Sequence, residues 1–218
     1  MANWTTNCVY IKGDEATLKE IKEFLQTGEQ LFDFNKVIPM PNELNIISGS
    51  ITDAAIEIAR TRKGSAKRAE LMSKIFLPQS VGESLAIHYG PTILNTEDDV
   101  VKLGKIYINN EKKYGYSNWY DWCNAKWGTK WNANSCELFT TEEGQLEYVF
   151  DTAWSEPTAV FIALSKKYPD VTITNHANYE DQPWRIIVTE FVDGEVVSQT
   201  DEVDEELKAD YEEWCTPI

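Results

Sequence analysis

The sequence predicts an α+β fold, an antiparallel βαββαβ sheet that is interrupted by a helical insertion and followed by a C-terminal hairpin. Three observations indicate this. The chain opens with a strand and a helix, its middle part is helical, and strands return after residue 133 around a single further helix. With 42% hydrophobic and 12% aromatic residues, the 218-residue chain has enough apolar side chains for a substantial core.

The first strand and helix are predicted at residues 3–12 and 15–27. Both alternating sets of residues in the first segment are partly apolar, as in the central strand of a sheet. Gly13-Asp14 predicts a turn, and Gly28 suits the end of the helix. The helix itself is indicated by apolar residues at helical spacing, namely Leu18, Ile21 and Leu25.

The middle of the chain is predicted to be an extended segment followed by three helices. Two prolines around Met40 favour an extended or turning conformation for residues 31–45, because proline disfavours helix in the residue before it. Apolar spacing predicts helices over residues 51–62 and 66–77. A third helix is predicted to begin at Thr96, which suits an N-cap and is followed by three acidic residues.

Strands return in the last third of the chain. Residues 136–139 and 145–153 are predicted to be two strands joined by the TTEEG stretch. Ser155 is then predicted to cap a helix, with Glu156 and Pro157 in its first turn, where proline is tolerated.

The final predicted elements are a strand over residues 171–177 and a hairpin with strands over 184–192 and 195–199. Asp193-Gly194 between the hairpin strands is a strong turn signal. Taken in order, the predicted elements match a ferredoxin-like sheet with an insertion.

This order also predicts the domain organisation. We expect residues 1–30 and 134–200 to form the sheet domain and residues 31–133 to form a mainly helical insertion. Residues 201–218 are rich in acids and are predicted to be a solvated, partly helical tail.

The net charge of the chain is −16, because 36 acidic residues oppose 20 basic ones. A nucleic-acid binder needs a basic surface that releases counterions, so this charge argues against nucleic acid as a partner. The acidity serves solubility, or it recruits a basic protein by imitating nucleic acid. Residues 60–74 form a local basic stretch, which we interpret as a solvated helix face.

Cysteine usage and the N-terminus indicate a cytoplasmic protein. The chain has four cysteines without a CxxC pair. Its first residues, MANWTTNCVY, lack the basic and apolar regions of a signal peptide. No segment approaches the about 20 apolar residues of a membrane span. We therefore expect reduced thiols, a cytoplasmic location and no membrane partner.

No catalytic or cofactor motif is evident. The chain lacks the GxxxxGK[ST], GxGxxG, GxSxG and HExxH patterns. It has two histidines, His88 and His176, and its cysteines lack metal-site spacing, so we predict no metal and no cofactor. Cys123 is interpreted as a buried thiol, although a Cys–His pair stays open because sequence does not determine proximity. We predict a protein that is not an enzyme.

One stretch, NWYDWCNAKWGTKWNA at residues 118–133, holds four of the eight tryptophans. Each buried indole hides about 200 Å², so we interpret the stretch as core that joins the insertion to the sheet. Two functional alternatives stay open for its exposed rim. The rim stacks a base or nucleotide, with Lys130 near the phosphate, or it is a hot spot for a protein partner.

Four motifs carry a resemblance to a known family. They are NW-x-x-N from Asn3 to Asn7, FNKVIPMP at residues 34–41, KWGTKWNA at 126–133 and FDTAWSEP at 150–157. As an ordered set, they resemble the Api92-like proteins with a YubB-type ferredoxin-like domain, found in bacteriophages, plasmids and other mobile elements. The resemblance implies the fold and a mobile-element origin. It implies no catalytic residues, because the family has no established activity.

We therefore expect a phage or plasmid accessory protein that binds and modulates a host or defence protein, its acidic surface meeting a basic partner. The alternative is a protein that binds a small molecule or nucleotide signal through the Trp-rich stretch. Candidate binding residues are Trp4, Asn35, Trp119, Trp127, Thr129, Lys130, Trp131 and Trp154.

Overall fold

The computed structural model describes residues 3–75, 87–89, 92–94, 96–139, 144–206 and 208–209. The chain divides into two compact units. Unit 1 consists of Met1–Pro39 and Cys123–Ile218, and unit 2 is Met40–Trp122. Residues 31–39 and 123–133, which the sequence analysis assigns to the insertion, therefore belong to the unit that contains the sheet.

The described helices and strands are, in chain order, β1 (Trp4–Lys12), α1 (Glu15–Leu25), α2 (Phe34–Val37), a 3-10 turn (Asn42–Leu44), α3 (Ile51–Arg60), α4 (Ala66–Ile75), β2 (Ile87–Tyr89), β3 (Thr92–Leu94), α5 (Glu97–Tyr114), α6 (Trp119–Lys126), β4 (Asn134–Phe139), β5 (Gln145–Ala153), α7 (Thr158–Lys167), β6 (Thr172–Tyr179), β7 (Gln182–Val192) and β8 (Glu195–Val203). The predicted helix over residues 66–77 extends beyond α4 into residues that are not described.

The sheet of unit 1 has the strand order β4-β5-β1-β6-β7-β8, and each neighbouring pair is antiparallel. Its first four strands, with α1 and α7 as connections, have the βαββαβ order of a ferredoxin-like domain. The β7-β8 hairpin extends this sheet beyond β6. The predicted α+β class and the antiparallel ferredoxin-like sheet are confirmed.

Strand β1 lies between β5 and β6, inside the sheet, as its two partly apolar faces predict. Thr5, Asn7, Val9 and Ile11 are buried on one face, and the residues between them are half-buried on the other. Beneath the buried face lies an aromatic core whose rings lie 5.1 to 6.3 Å from Phe32, namely Phe34, Tyr148, Phe150 and Phe161.

Residues 31–45, predicted to be extended or turning, contain the single-turn helix α2 and the 3-10 turn Asn42–Leu44. The Asp33 carboxylate accepts a hydrogen bond from the Asn35 backbone N–H at 3.0 Å and so caps the turn. Burial of the Phe34 side chain favours the turn over an extended segment. The turn ends at Ile38, in agreement with the effect of Pro39 on the residue before it.

Helix α7 begins at Thr158, so the prediction that Ser155 caps it is wrong. The Ser155 hydroxyl instead donates to the Gly128 carbonyl oxygen at 2.5 Å. Glu156, predicted in the first turn, lies before the helix with 9% of its surface exposed. Its buried polar contacts therefore compete with an earlier helix start.

Strand β8 reaches Val203 and so includes residues 201–203, which the sequence analysis assigns to the tail. Its backbone pairs with β7 up to the Arg185–Val203 pair. The turn before it has φ of 47° at Asp193 and 80° at Gly194, which confirms the predicted hairpin turn. Residues 207 and 210–218 of the predicted tail lie outside the described residues.

Unit 2 has its own core between α3, α4 and α5, formed by Ile51, Ala55, Ile58, Leu71, Val100, Leu103 and Tyr107. Thr96 caps α5 as predicted, and it exchanges hydrogen bonds with Asp99 in a capping box. At Gly104 the two helices α3 and α5 come so close that a Cβ atom would meet the Ala55 carbonyl oxygen. The antiparallel pairing of β2 with β3 is not predicted from the sequence.

Candidate functional site

The sheet of unit 1 has one face directed toward its helices and one face directed away from them. We call the second one the open face. On β1 it carries Trp4, Thr6, Cys8 and Tyr10, all of which are half-buried, whereas the opposite row is fully buried. The open face is therefore the broad surface of unit 1 on which side chains from neighbouring strands lie side by side.

The open face is acidic. Cross-strand partners lie on the same side of a sheet, so the pairing with β1 and along the sheet assigns to this face Glu137, Glu147, Asp151, Glu190 and Glu202. The Lys and Arg residues of the six strands are Lys12 and Arg185, and His176 lies on the open face of β6. Lys12 follows Tyr10 on the open face, and Arg185 lies on the other face, paired with Asp201.

Apolar side chains are interspersed with these acids. Phe139 on β4 exposes 44% of its surface and Ile186 on β7 exposes 37%. Their strand positions place them on the open face, beside Glu147 and Glu202 respectively. A surface that combines exposed apolar groups with one sign of charge is typical of a site that binds a protein of the opposite charge.

Cys8 and His176 are directly opposite each other in the β1-β6 pairing. The Tyr10 ring contacts the His176 imidazole edge-on, with 5.3 Å between the ring centroids. Burial raises the pKa of the Cys8 thiol, and the nearby Glu147 carboxylate raises it further. The thiol is therefore held in its protonated form, which is the opposite of what a cysteine nucleophile needs. Burial also raises the pKa of Cys123 to about 12.

Trp127 and Thr129, two of the predicted binding residues, are buried in unit 1. The Trp127 indole N–H donates to the Ile38 carbonyl oxygen at 2.9 Å, and its ring packs edge-on against Phe34. The Thr129 hydroxyl donates to the Ala153 carbonyl oxygen and accepts from the Ala153 N–H. These two side chains tie the Trp-rich segment to β5 and α2.

Four other predicted binding residues come together in unit 1. The Trp4 and Trp131 rings lie 5.7 Å apart, and Trp131 exposes 37% of its surface. The Lys130 ammonium nitrogen lies 4.2 Å from the Trp131 ring centroid and 5.4 Å from that of Trp154. We call Trp4, Trp131 and Trp154 the aromatic cluster. Two of its rings, those of Trp131 and Trp154, contact the Lys130 ammonium by cation–π interaction.

The two remaining predicted residues lie elsewhere. Trp119 belongs to unit 2, where its ring contacts Tyr120 edge-on at 5.8 Å. Asn35 is exposed on the short helix α2 of unit 1.

A cavity of about 390 Å³ lies beside the aromatic cluster, at the end of the sheet where β1 begins and β6 turns into β7. We call it the strand-end cavity. It is lined by Asn3, Trp4, Thr5, Trp154, Tyr179, Asp181, Gln182 and Arg185. Sequence reasoning found Trp4 and Trp154 but missed the last four, because they flank a turn that carries no motif.

Two ionisable side chains of the strand-end cavity, Arg185 and Tyr179, are each held in one protonation state by their neighbours. The Arg185 guanidinium is paired with the Asp201 carboxylate through two hydrogen bonds of 2.8 and 2.7 Å. A third bond, of 3.0 Å, joins Arg185 to the Gln182 side chain. Burial raises the pKa of the Tyr179 phenol, and the Glu156 carboxylate raises it further. The neutral phenol is thus the stable form in the wall of the cavity.

A buried polar network lies beneath the sheet. The Asn175 side-chain amide donates to Glu156 at 2.7 Å and to Asn7 at 3.2 Å, and the Asn7 amide donates to the Thr152 hydroxyl at 2.9 Å. Each of these side chains is buried. The network holds β1, β5, β6 and the entry to α7 in one arrangement, because a buried amide without a partner is costly.

Two further properties concern the described part of the chain as a whole. It contains no group of three or more His, Cys, Asp or Glu side chains that could hold a metal ion. None of the helices described there has the length and apolar character needed to span a membrane.

Comparisons with known proteins complete this description. Residues 126–214 match the family model described as "Ferredoxin-like domain in Api92-like protein". No curated protein matches the chain. The crystal structure of a protein api92 from Yersinia pseudotuberculosis is similar, with 9% sequence identity and a TM-score of 0.47 over 94% of this chain and 99% of that chain.

Proposed function

Because this chain belongs to the Api92-like family through its ferredoxin-like domain, we propose that it is a non-enzymatic accessory protein whose open sheet face binds a basic protein. The match confirms the family that the sequence motifs resemble. It brings no activity with it, so the proposal rests on the open face itself.

The observation that carries the proposal is the acidity of the open face. The acidic residues of this surface are Glu137, Glu147, Asp151, Glu190 and Glu202, and its basic residues on the strands are Lys12 and His176. Like charges on a shared surface attract an oppositely charged partner and speed its association, and they repel nucleic acid. Exposed Phe139 and Ile186 supply apolar area for a stable contact.

We infer that the chain is encoded by a phage or plasmid and acts in the host cytoplasm, where the basic partner is a host or defence protein. A partner that normally grips nucleic acid has the required basic surface. Binding of the acidic face would then compete with its nucleic acid. This part of the proposal is supported by the motif resemblance and by the net charge of −16.

The test compares two charge-matched triple variants. The first replaces Glu147, Glu190 and Glu202 of the open face with Gln. The second replaces the exposed Glu23, Glu29 and Asp170, away from the strands, with Gln, Gln and Asn. Each variant raises the formal net charge from −16 to −13.

Tagged wild-type and variant proteins are used to capture partners from a nuclease-treated bacterial lysate. We expect a basic protein that is retained by wild type and by the control variant, and that is lost with the open-face variant or in high salt. Equal capture by both triple variants would contradict the role of the open face.

The strand-end cavity and the aromatic cluster favour a second candidate function, the binding of a small molecule or nucleotide. The Trp4, Trp131 and Trp154 rings offer stacking surfaces, and Lys130 lies over two of them. Native mass spectrometry of the purified protein and quenching of tryptophan fluorescence by nucleotides test this candidate. It requires a bound mass or saturable quenching that a Trp154→Ala variant loses.

A further inference from the structure

Three of the eight residues that line the strand-end cavity are aromatic. Two indoles and one phenol line it, from Trp4, Trp154 and Tyr179. The faces of aromatic rings carry negative partial charge and attract cations, most strongly for tryptophan. The volume of about 390 Å³ lies in the range of cavities that enclose ligand groups.

The fixed charges of the cavity favour a cation as well. The one cationic side chain in its lining, Arg185, is neutralised by its two-pronged ion pair with Asp201. Asp181 lines the same cavity and is exposed, and no ion pair involves it within the described residues. The lining residues taken with Asp201 therefore carry one net negative charge, which opposes the phosphate of a nucleotide. The Lys130 ammonium, 5.4 Å from the Trp154 ring centroid, acts in the opposite direction from outside the lining.

A third observation is the hydroxyl of Thr5. This side chain is fully buried, lines the cavity and forms no hydrogen bond to any described residue. Buried hydroxyl groups normally have a partner, because an unpaired one costs free energy. A group in the cavity that carries several N–H donors would satisfy it.

We propose that the strand-end cavity receives the guanidinium group of an arginine side chain from the basic partner protein. Guanidinium is planar, stacks on indole rings and presents five N–H donors, so it can contact Trp4 or Trp154 and donate to Thr5 and Asp181 together. Lys130 beside Trp131 and Trp154 shows the same cluster holding a cation within the chain. This inference rests on the proposed function and names one anchor of the contact.

The location of the cavity agrees with this role. Trp4 is at once a cavity residue and the first residue of the open-face row on β1. A partner that covers the acidic strands would therefore have a side chain within reach of the cavity. Buried arginine anchors of this kind are frequent hot spots of protein interfaces.

The experiment follows the tryptophan indole N–H signals of ¹⁵N-labelled protein by NMR. The probe is the blocked tripeptide acetyl-Gly-Arg-Gly-amide, and its matched control contains citrulline, which is uncharged, in place of arginine. Trp4→Phe and Trp154→Phe variants assign the two cavity signals. The buried Trp122 and Trp127 serve as internal references.

We expect the arginine peptide to shift the Trp4 and Trp154 signals, with a dissociation constant on the order of millimolar for so small a ligand. Citrulline should have little effect, and the reference signals should not move. Asp181→Asn should weaken binding about five-fold, and the exposed Asp170→Asn should leave it unchanged.

Three results would overturn the assignment: equal shifts with citrulline, no shift with arginine, or displacement of the same signals by AMP but not by the arginine peptide. The failure of this inference is distinguishable from the failure of the proposed function. If the cavity does not bind arginine but partner capture still depends on Glu147, Glu190 and Glu202, then the open-face proposal stands. If the cavity binds arginine but partner capture does not depend on these three residues, the open-face proposal fails and the assignment of the cavity stands.

Discussion

The side-chain amide of Asn175 donates a hydrogen bond of 2.7 Å to the carboxylate of Glu156 beneath the sheet of unit 1. Both side chains are buried. Thr158 donates to the other carboxylate oxygen at 3.1 Å. The contact joins the strand β6 to the residue that precedes α7, so the strand and the helix entry depend on each other.

We predict that Glu156→Ala lowers the free energy of unfolding by about 2–4 kcal/mol, because it removes one of the two acceptors of the Asn175 amide and opens a cavity. Glu156→Gln keeps an acceptor oxygen and should cost about 1 kcal/mol. Urea unfolding followed by circular dichroism measures both. Equal losses for the two variants would contradict the hydrogen-bond explanation.

Gly104 allows the close approach of α3 and α5 in unit 2. A Cβ atom there would collide with the Ala55 carbonyl oxygen and lie 2.8 Å from the Ala59 Cβ atom. Gly104→Ala should therefore lower the free energy of unfolding by about 1–3 kcal/mol, although alanine favours helix. The control is Ile106→Ala in the same helix, where 44% of the side chain is exposed. A stabilised Gly104→Ala protein would show that the helices separate easily.

Trp154 has a left-handed backbone conformation with φ of 72°, which is strained for any residue except glycine. Glycine and alanine variants both remove the indole, so the difference between their free energies of unfolding isolates the contribution of the backbone conformation. We expect Trp154→Gly to be about 1 kcal/mol more stable than Trp154→Ala in thermal or urea unfolding.

The exposed strand residue Phe139 provides the matched control for that comparison. It has no positive φ, and 44% of its side chain is exposed. There the order should reverse, since glycine in a strand is about 0.5–1 kcal/mol less stable than alanine. The same order at both positions would contradict the strain at Trp154.

The cysteine thiols should be poorly reactive in the folded protein. Burial raises the pKa of Cys123 and of Cys136 to about 12, and it also raises the pKa of Cys8. A Cys215→Ser variant restricts the measurement to these three. At pH 8 we expect slow modification by a disulfide reagent, and rapid modification in urea. Fast labelling of folded protein would contradict the raised pKa values of these thiols.

The same thiols make stability depend on pH in a definite direction. Their pKa values are higher in the folded than in the unfolded chain, so the folded chain retains protons that the unfolded chain loses. Their contribution is fully present below about pH 9 and is lost as the pH rises toward 12. Denaturation curves between pH 8 and 11 should show that the free energy of unfolding falls as the pH rises. Relative to its own value at pH 8, the free energy of unfolding of a Cys123→Ala variant should fall less than that of the wild type.

Local signals explain why much of the fold was predictable. Alternation along β1, the Thr96 cap and the Asp193-Gly194 turn each involve neighbours in the sequence, and each is found in the structure. A cap or a tight turn is decided by a few adjacent residues, so it can be recognised without knowledge of distant contacts.

Distant contacts explain what was missed. Phe34 forms a helical turn because its ring packs against Phe150 and Trp127, which lie far along the chain. Glu156 delays the start of α7 because its carboxylate is bound by Asn175 on β6. Tertiary contacts of this kind override local propensity, and the sequence near each residue does not report them.

The candidate site was only partly predictable for the same reason. Trp4, Lys130, Trp131 and Trp154 drew attention by their residue types and do come together. The acidic row of the open face depends on strand register, since a shift by one residue would turn each carboxylate to the other side. Composition showed the negative charge of the chain but not which carboxylates share the open face.

The pairing of β1 with strands more than 130 residues away has a consequence for synthesis. Its partners β5 and β6 leave the ribosome only after all of unit 2, Met40–Trp122, has been made. At ordinary elongation rates this delay lasts roughly ten seconds, far longer than helices need to pack. Unit 2 should therefore fold before β1 has a strand to pair with. During this time the Trp, Tyr and Val side chains of β1 are exposed and accessible to chaperones. The newly made chain is most vulnerable in that interval.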